Sequence, residues 1–104
     1  MTRSLLVGPE ASKHIVEAFA WYEQQHAGLG TEFRTALTAV FDLLRHVPEA
    51  GPVVYRDLRR VLLRKFPYAV YYVLSPTQIV VRAVIHNRRH PRSWREGVNS
   101  SNDG

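Results

Sequence analysis

The stretch that decides the fold runs from Leu58 to Trp94: LRRVLLRKFPYAVYYVLSPTQIVVRAVIHNRRHPRSW. Three segments, 58–65, 68–74 and 79–86, are rich in Val, Leu, Ile and Tyr, and Phe66-Pro67 and Ser75-Pro76-Thr77-Gln78 separate them. Short β-prone runs broken by proline and polar turns predict three strands in a meander. In the last run Ile79, Val81, Ala83 and Ile85 alternate with Val80, Arg82, Val84 and His86. Successive strand side chains point to opposite faces, so the first set is expected on the core side and Arg82 and His86 on an open face. By the same rule Val61 and Leu63 face the core, leaving Arg60, Leu62 and Arg64 toward solvent. YAVYYVL is apolar on both faces and belongs inside the sheet.

Upstream the period changes. Ser4 to Val7 is a short apolar run that stops at Gly8-Pro9 and reads as a first strand. Pro9 suits the first position of a helix and Glu10 its first turn, where the dipole favours a carboxylate. Ala11, Ile15, Phe19 and Tyr22, with Ala18 alongside, form one helical stripe, and Gly28 is the expected stop. Thr31 is placed to cap a second helix, on which Phe33, Leu37, Val40, Leu44 and Val47 recur at steps of three and four before Pro48. Two amphipathic helices joined by AGLG predict an antiparallel hairpin. The expectation is an α+β domain, β-α-α-β-β-β, with the hairpin on one face of a mainly antiparallel curved sheet. Residues 1–95 form the single domain and 96–104 a disordered polar tail.

At 104 residues the chain has room for one modest core. Without cysteine it has no disulfide framework, thiolate metal site or cysteine nucleophile. No apolar run approaches the roughly 20 residues of a membrane span, and the N-terminal one is short for a signal peptide. A cytoplasmic protein with no membrane partner is expected. The net charge of +5 is uneven: residues 1–54 hold four Lys/Arg against six Asp/Glu, and residues 55–104 hold ten against three. The balances of −2 and +7 place a basic face in the C-terminal half, which suits an anionic partner.

That face is built from arginine: Arg60, Arg64, Arg82, Arg88, Arg89, Arg92 and Arg95, with Lys65 the one lysine in residues 55–104. A guanidinium holds phosphate or carboxylate through two parallel contacts. Tyr68, Tyr71, Tyr72 and Trp94 offer ring surfaces, though tyrosines inside strands are better read as packing. His86 and His90 lack a third ligand and a helix to align them, so no metal is expected. His86 alone has the chemistry of a general acid or base near neutral pH. Glycine-rich phosphate loops, nucleophile motifs and paired carboxylates are absent, and no cofactor is expected.

FPYAVYY followed by VVRAVIHNRRHP and a late tryptophan resembles the sheet and C-terminal segment of the RelE/ParE superfamily, toxins of type II toxin–antitoxin modules. AFAWYEQQHAGLGTEF resembles that family's helical hairpin, so the likeness runs from Leu5 to about Trp94, with the ParE-like branch the nearer. It implies growth inhibition, plasmid stabilisation and neutralisation by a cognate antitoxin in a hetero-oligomer. The ParE-like branch poisons DNA gyrase, whereas the RelE-like branch cleaves messenger RNA on the ribosome without a metal.

The nuclease pattern carries over in part. Its arginine just beyond the last strand matches Arg88, with Arg89 adjacent. The arginine it places after the tyrosine that opens the third strand is here Ala69, following Tyr68. Its lysines on the second strand are here Arg60 and Leu62, and its late tyrosine is Trp94, which cannot transfer a proton. A guanidinium aimed at developing phosphorane charge is worth several kcal/mol, so Ala69 weighs against that chemistry. The resemblance thus implies a gyrase-binding toxin first, with target or phosphate contacts at Arg60, Arg64, Arg82, Arg88, Arg89 and Trp94. The alternatives are an endoribonuclease using Arg64, Arg82 and Arg88 on phosphate with His86 moving protons, or a degenerate member that only binds antitoxin.

Overall fold

The computed structural model describes residues 3–88. Ser4–Val7 forms β1, Pro9–Gln25 α1 and Leu29–His46 α2; Val53–Tyr55 (β2), Leu58–Leu62 (β3), Tyr68–Leu74 (β4) and Gln78–His86 (β5) follow. The strands make one sheet in the order β1-β5-β4-β3-β2, with β1 parallel to β5 and the other pairs antiparallel. The helical hairpin packs on one face, as the sequence predicts. The strand β2 is an addition. Its three residues lie between Pro52 and a turn in which Arg56 takes φ 55°, too short a run to display a period.

Pro9 opens α1, and Ala11 and Ala18 on its inner stripe are buried. The second helix begins at Leu29, ahead of Thr31, and Gly28 enters it with φ 91°. Gly28 therefore turns the chain into α2, a left-handed conformation that glycine adopts without steric cost. Its cap comes from α1: the Glu23 carboxylate accepts the Gly28 and Gly30 N–H groups, each at 2.9 Å. A carboxylate there satisfies two orphan donors and complements the helix dipole. Gly30 is needed for a different reason. A Cβ would stand 2.8 Å from the Phe19 carbonyl oxygen, so the helices approach too closely for a side chain. At the other end Val47 leaves the helical stripe and is exposed.

Phe33, Leu37, Val40 and Leu44 of α2 meet Val70, Tyr72, Ile79, Val81 and Val84 of the sheet in the main core. A smaller cluster, Leu58, Ala69, Tyr71 and Ala83, lies on the opposite face. The partition corrects the reading of β5. Its register against β4 steps from Tyr72–Val81 to Tyr71–Ala83, which leaves Arg82 as an extra residue in a β-bulge. One inserted residue reverses the alternation beyond it. Ala83 and Ile85 consequently join the open-face cluster, while Val84 and His86 turn toward α1. His14 on α1 receives the Val84 N–H on Nδ1 at 3.2 Å, fastening the helix to the bulged strand.

Tyr72 ties the sheet to the loop after α2. Its buried hydroxyl donates to the Pro48 carbonyl at 2.7 Å and accepts the Gly51 N–H at 2.9 Å. Burial pushes the phenol above its ordinary pKa, partly opposed by the Gly51 bond. Tyr72→Phe is expected to cost about 1–3 kcal/mol, because it strands the buried Gly51 N–H and the part-buried Pro48 carbonyl. Urea unfolding of the two proteins measures the difference; an unchanged midpoint would show that water replaces the hydroxyl.

Candidate functional site

The pairing of β3, β4 and β5 places Arg60, Tyr71 and Ala83 in one row on the open face. Tyr71 is 1% exposed, and its phenol is pushed up in pKa by burial, opposed by a hydrogen bond and the charge of Arg60. The tyrosine is thus a neutral support for a guanidinium. Arg82, exposed at the bulge, adjoins the far end of this row. Strands lie about 4.8 Å apart, so Arg60 and the bulge are separated by roughly 10 Å of sheet. Leu62 and Leu6 are about half exposed on the same face, at 51% and 49%, and partly buried Val80 pairs with Leu6. Val84, expected among them, is buried under α1 because of the bulge.

A second basic group lies at one end of the sheet. Arg64 and Lys65 are exposed in the turn between β3 and β4, and Lys65 takes φ 72°. The Asn87 N–H donates to the Pro67 carbonyl at 2.8 Å, which brings the exit of β5 against that turn. Exposed Arg88 follows, its N–H donated to His86 Nδ1 at 3.1 Å. The expected contacts therefore divide into two sets: Arg60 with Arg82 in mid-sheet, and Arg64 with Arg88 at its end. Arg89 and Trp94, and the polar tail 96–104, lie outside the described residues.

His86 is not on the open face. Its ring packs edge-to-face on Tyr68, centroids 5.4 Å apart, and lines a cleft with His14, Glu17, Trp21 and Tyr22 of α1. The sheet therefore stands between the imidazole and Arg60, which shares the open-face row of Tyr71 and Ala83. A general base must come within about 3 Å of the hydroxyl it serves, so His86 is not placed to act beside Arg60; its neighbour among the candidate cations is Arg88, whose N–H it accepts. Tyr22, also in the cleft, is pushed up by burial and then by neighbouring Tyr68, and stays a neutral phenol near pH 7. Among the described residues no three His, Asp or Glu side chains are grouped to hold a metal.

The sequence reading missed this cleft. Trp21 is its one outward sign: the residue falls off the apolar stripe of α1 and is 55% exposed.

The family model for the ParE toxin of the type II toxin–antitoxin system matches residues 5–91. The chain belongs to the ParE toxin family. The match spans both helices and, apart from Ser4 at the start of β1, the five strands; it takes in Arg88 and Arg89 and ends before Trp94. No curated protein sequence matches significantly. Among solved structures, a chain described as "Chromosomal ParDE TA system from P. aeruginosa" superposes with a TM-score of 0.72 at 14% identity, covering 81% of this chain and 95% of that one. At that identity the likeness is one of fold, here the ParE fold of two helices on an open five-stranded sheet. No helix among the described residues is long and apolar enough to cross a membrane.

Proposed function

We propose that this ParE-family toxin stops growth by binding DNA gyrase in the cytoplasm and is held inactive by a cognate antitoxin. The observation that carries the reading is the separation of His86 from Arg60 by the thickness of the sheet. Among the described residues the open face offers guanidinium groups and apolar side chains, which suit binding, and the imidazole of His86 lies on the other side of the sheet. Ala69 supports the same view, being fully buried between Leu62 and Ile85 with nothing to offer a phosphate.

The antitoxin is expected to lay acidic and apolar residues over this face and the helical hairpin, through an extended segment with helix and strand. Leu6 and Leu62 among the arginines form a mixed surface of the sort that meets a partner. Apolar burial then carries much of the affinity. Kd is expected to rise less than about tenfold between 0.1 and 1 M salt, although charge screening tightens from about 10 Å to about 3 Å over that range. Calorimetric titration at both salts measures this; a rise of several orders of magnitude would mark a purely ionic contact.

Induction of the chain alone should arrest growth, with filamentation and DNA-damage signalling. Co-expression with a neighbouring small acidic reading frame should relieve the arrest and yield a co-purifying complex. Normal growth on induction would favour a degenerate antitoxin-binding member instead. Recovery of the toxin alone after co-expression would count against the antitoxin contact.

A further inference from the structure

We propose that the cleft between α1 and the end of the sheet receives an arginine side chain presented by a protein partner. The inference does not rest on which target the toxin binds, since the cleft lies across the sheet from Arg60 and the open face.

The walls, floor and rim of the cleft each suit one part of that side chain. The walls are rings: Trp21 meets Tyr22 edge-on at 5.2 Å, Tyr22 meets Tyr68 at 5.9 Å, and Tyr68 meets His86 at 5.4 Å. Trp21 stands half in water on the α1 side. The face of an aromatic ring is the negative side of its quadrupole and attracts a cation laid against it. The floor is apolar, with Ala18 and Val84 both small and buried. An arginine stem buries its methylenes along such a surface and keeps its charged head at the rim.

The rim is acidic in a basic protein. Among the described residues exposed Glu17 is the one carboxylate that lines the cleft, and no Lys or Arg does, in a chain of net charge +5. Glu10 adds a carboxylate 3.8 Å from His14 Nε2. The two imidazoles bring no positive charge in this arrangement. His14 and His86 each accept a backbone N–H on Nδ1, from Val84 and Arg88, a role that an imidazolium cannot fill.

The geometry favours guanidinium over ammonium. A planar guanidinium stacks on a ring and offers a carboxylate a fork of donors, whereas a hydrated ammonium does neither. Glu17 and Trp21 stand four residues apart on α1, so they are neighbours on its surface and one head group can meet both. Ring–guanidinium contacts already occur in this molecule, with Arg34 4.8 Å from the Phe19 ring and Arg56 5.2 Å from that of Tyr55. The cleft is an open groove, too shallow to enclose a free small molecule, and it leaves the backbone of a bound residue at the surface.

The probes are capped tripeptides, acetyl-Gly-Arg-Gly-amide and its counterparts with citrulline or lysine at the centre. Each is titrated into the full-length protein and followed by NMR at the rings of Trp21, Tyr68 and His86. The arginine peptide should shift these rings saturably. Citrulline keeps the shape and lacks the charge, so its peptide should bind about tenfold more weakly. The lysine peptide should also bind more weakly than the arginine one. Glu17→Gln should weaken the arginine peptide several-fold, and Trp21→Ala should erase the response at Tyr68 and His86. Both positions are exposed, so melting temperatures should hold. Rings unmoved by the arginine peptide would overturn the proposal, as would equal binding of the citrulline or lysine peptide. Free arginine binding as tightly as its peptide would assign the cleft to a small molecule instead. Ring shifts that depend on protein concentration before any peptide is added would assign it to a second copy, and either result would overturn the partner contact.

Discussion

Arg88→Glu together with Arg89→Glu is expected to abolish growth inhibition while the domain stays folded. Arg88 is exposed, and its backbone is held at the sheet end by the bonds from Asn87 to Pro67 and from Arg88 to His86. A guanidinium anchored in this way can be aimed at a carboxylate or phosphate on a target, and two reversals replace attraction by repulsion. Exposed substitutions seldom cost more than about half a kcal/mol, equivalent to roughly 2–4 °C in Tm for a domain of this size. Growth assays beside thermal melts separate the effects. Full toxicity at normal expression would make this stretch a solubilising segment only. Removal of residues 97–104 should leave toxicity unchanged, whereas Trp94→Ala should reduce it along with stability.

Phe33→Ala is expected to have the largest effect on the fold. Phe33 is fully buried and its ring lies 5.5 Å from Tyr22, 5.5 Å from Phe66 and 5.3 Å from Tyr68. Truncating a core phenylalanine costs about 3–5 kcal/mol, through lost transfer energy and the cavity left behind. Against a total stability of about 5–15 kcal/mol, that is from about a fifth to all of the reserve of a small domain. Tm should fall by about 15–30 °C. Tyr22 and Tyr68 would also lose their backing, so the cleft they wall should loosen with the core. A drop of only a few degrees would mean that Tyr22 and Phe66 close over the vacancy.

The layers of this fold were legible because the apolar stripes of the helices recur at a 3.6-residue period and proline-marked breaks separate the short β-prone runs. Arg60 and Leu62 appear on the open face as the alternation of β3 requires. The same rule failed on β5 beyond Arg82, because a bulge adds a residue without leaving a glycine or proline to announce it. His86 was thereby assigned to the wrong face; the fold sets it on the α1 side of the sheet, away from Arg60 and beside Arg88. The start of α2 was missed for a related reason. Its cap is the Glu23 carboxylate of the other helix, a tertiary contact that local capping patterns do not contain. The cleft at α1 was hidden because Trp21 has meaning only beside Tyr68 and His86, which are distant in sequence.

The measurement that most directly tests a binding role is a pair of assays on one purified preparation, DNA gyrase with plasmid in one and ribosomes translating messenger RNA in the other. The proposed gyrase-binding role predicts loss of supercoiling with accumulation of cleaved DNA–gyrase complex, and intact message. Message cut within translated codons while supercoiling proceeds, with cutting abolished by His86→Ala, would contradict it.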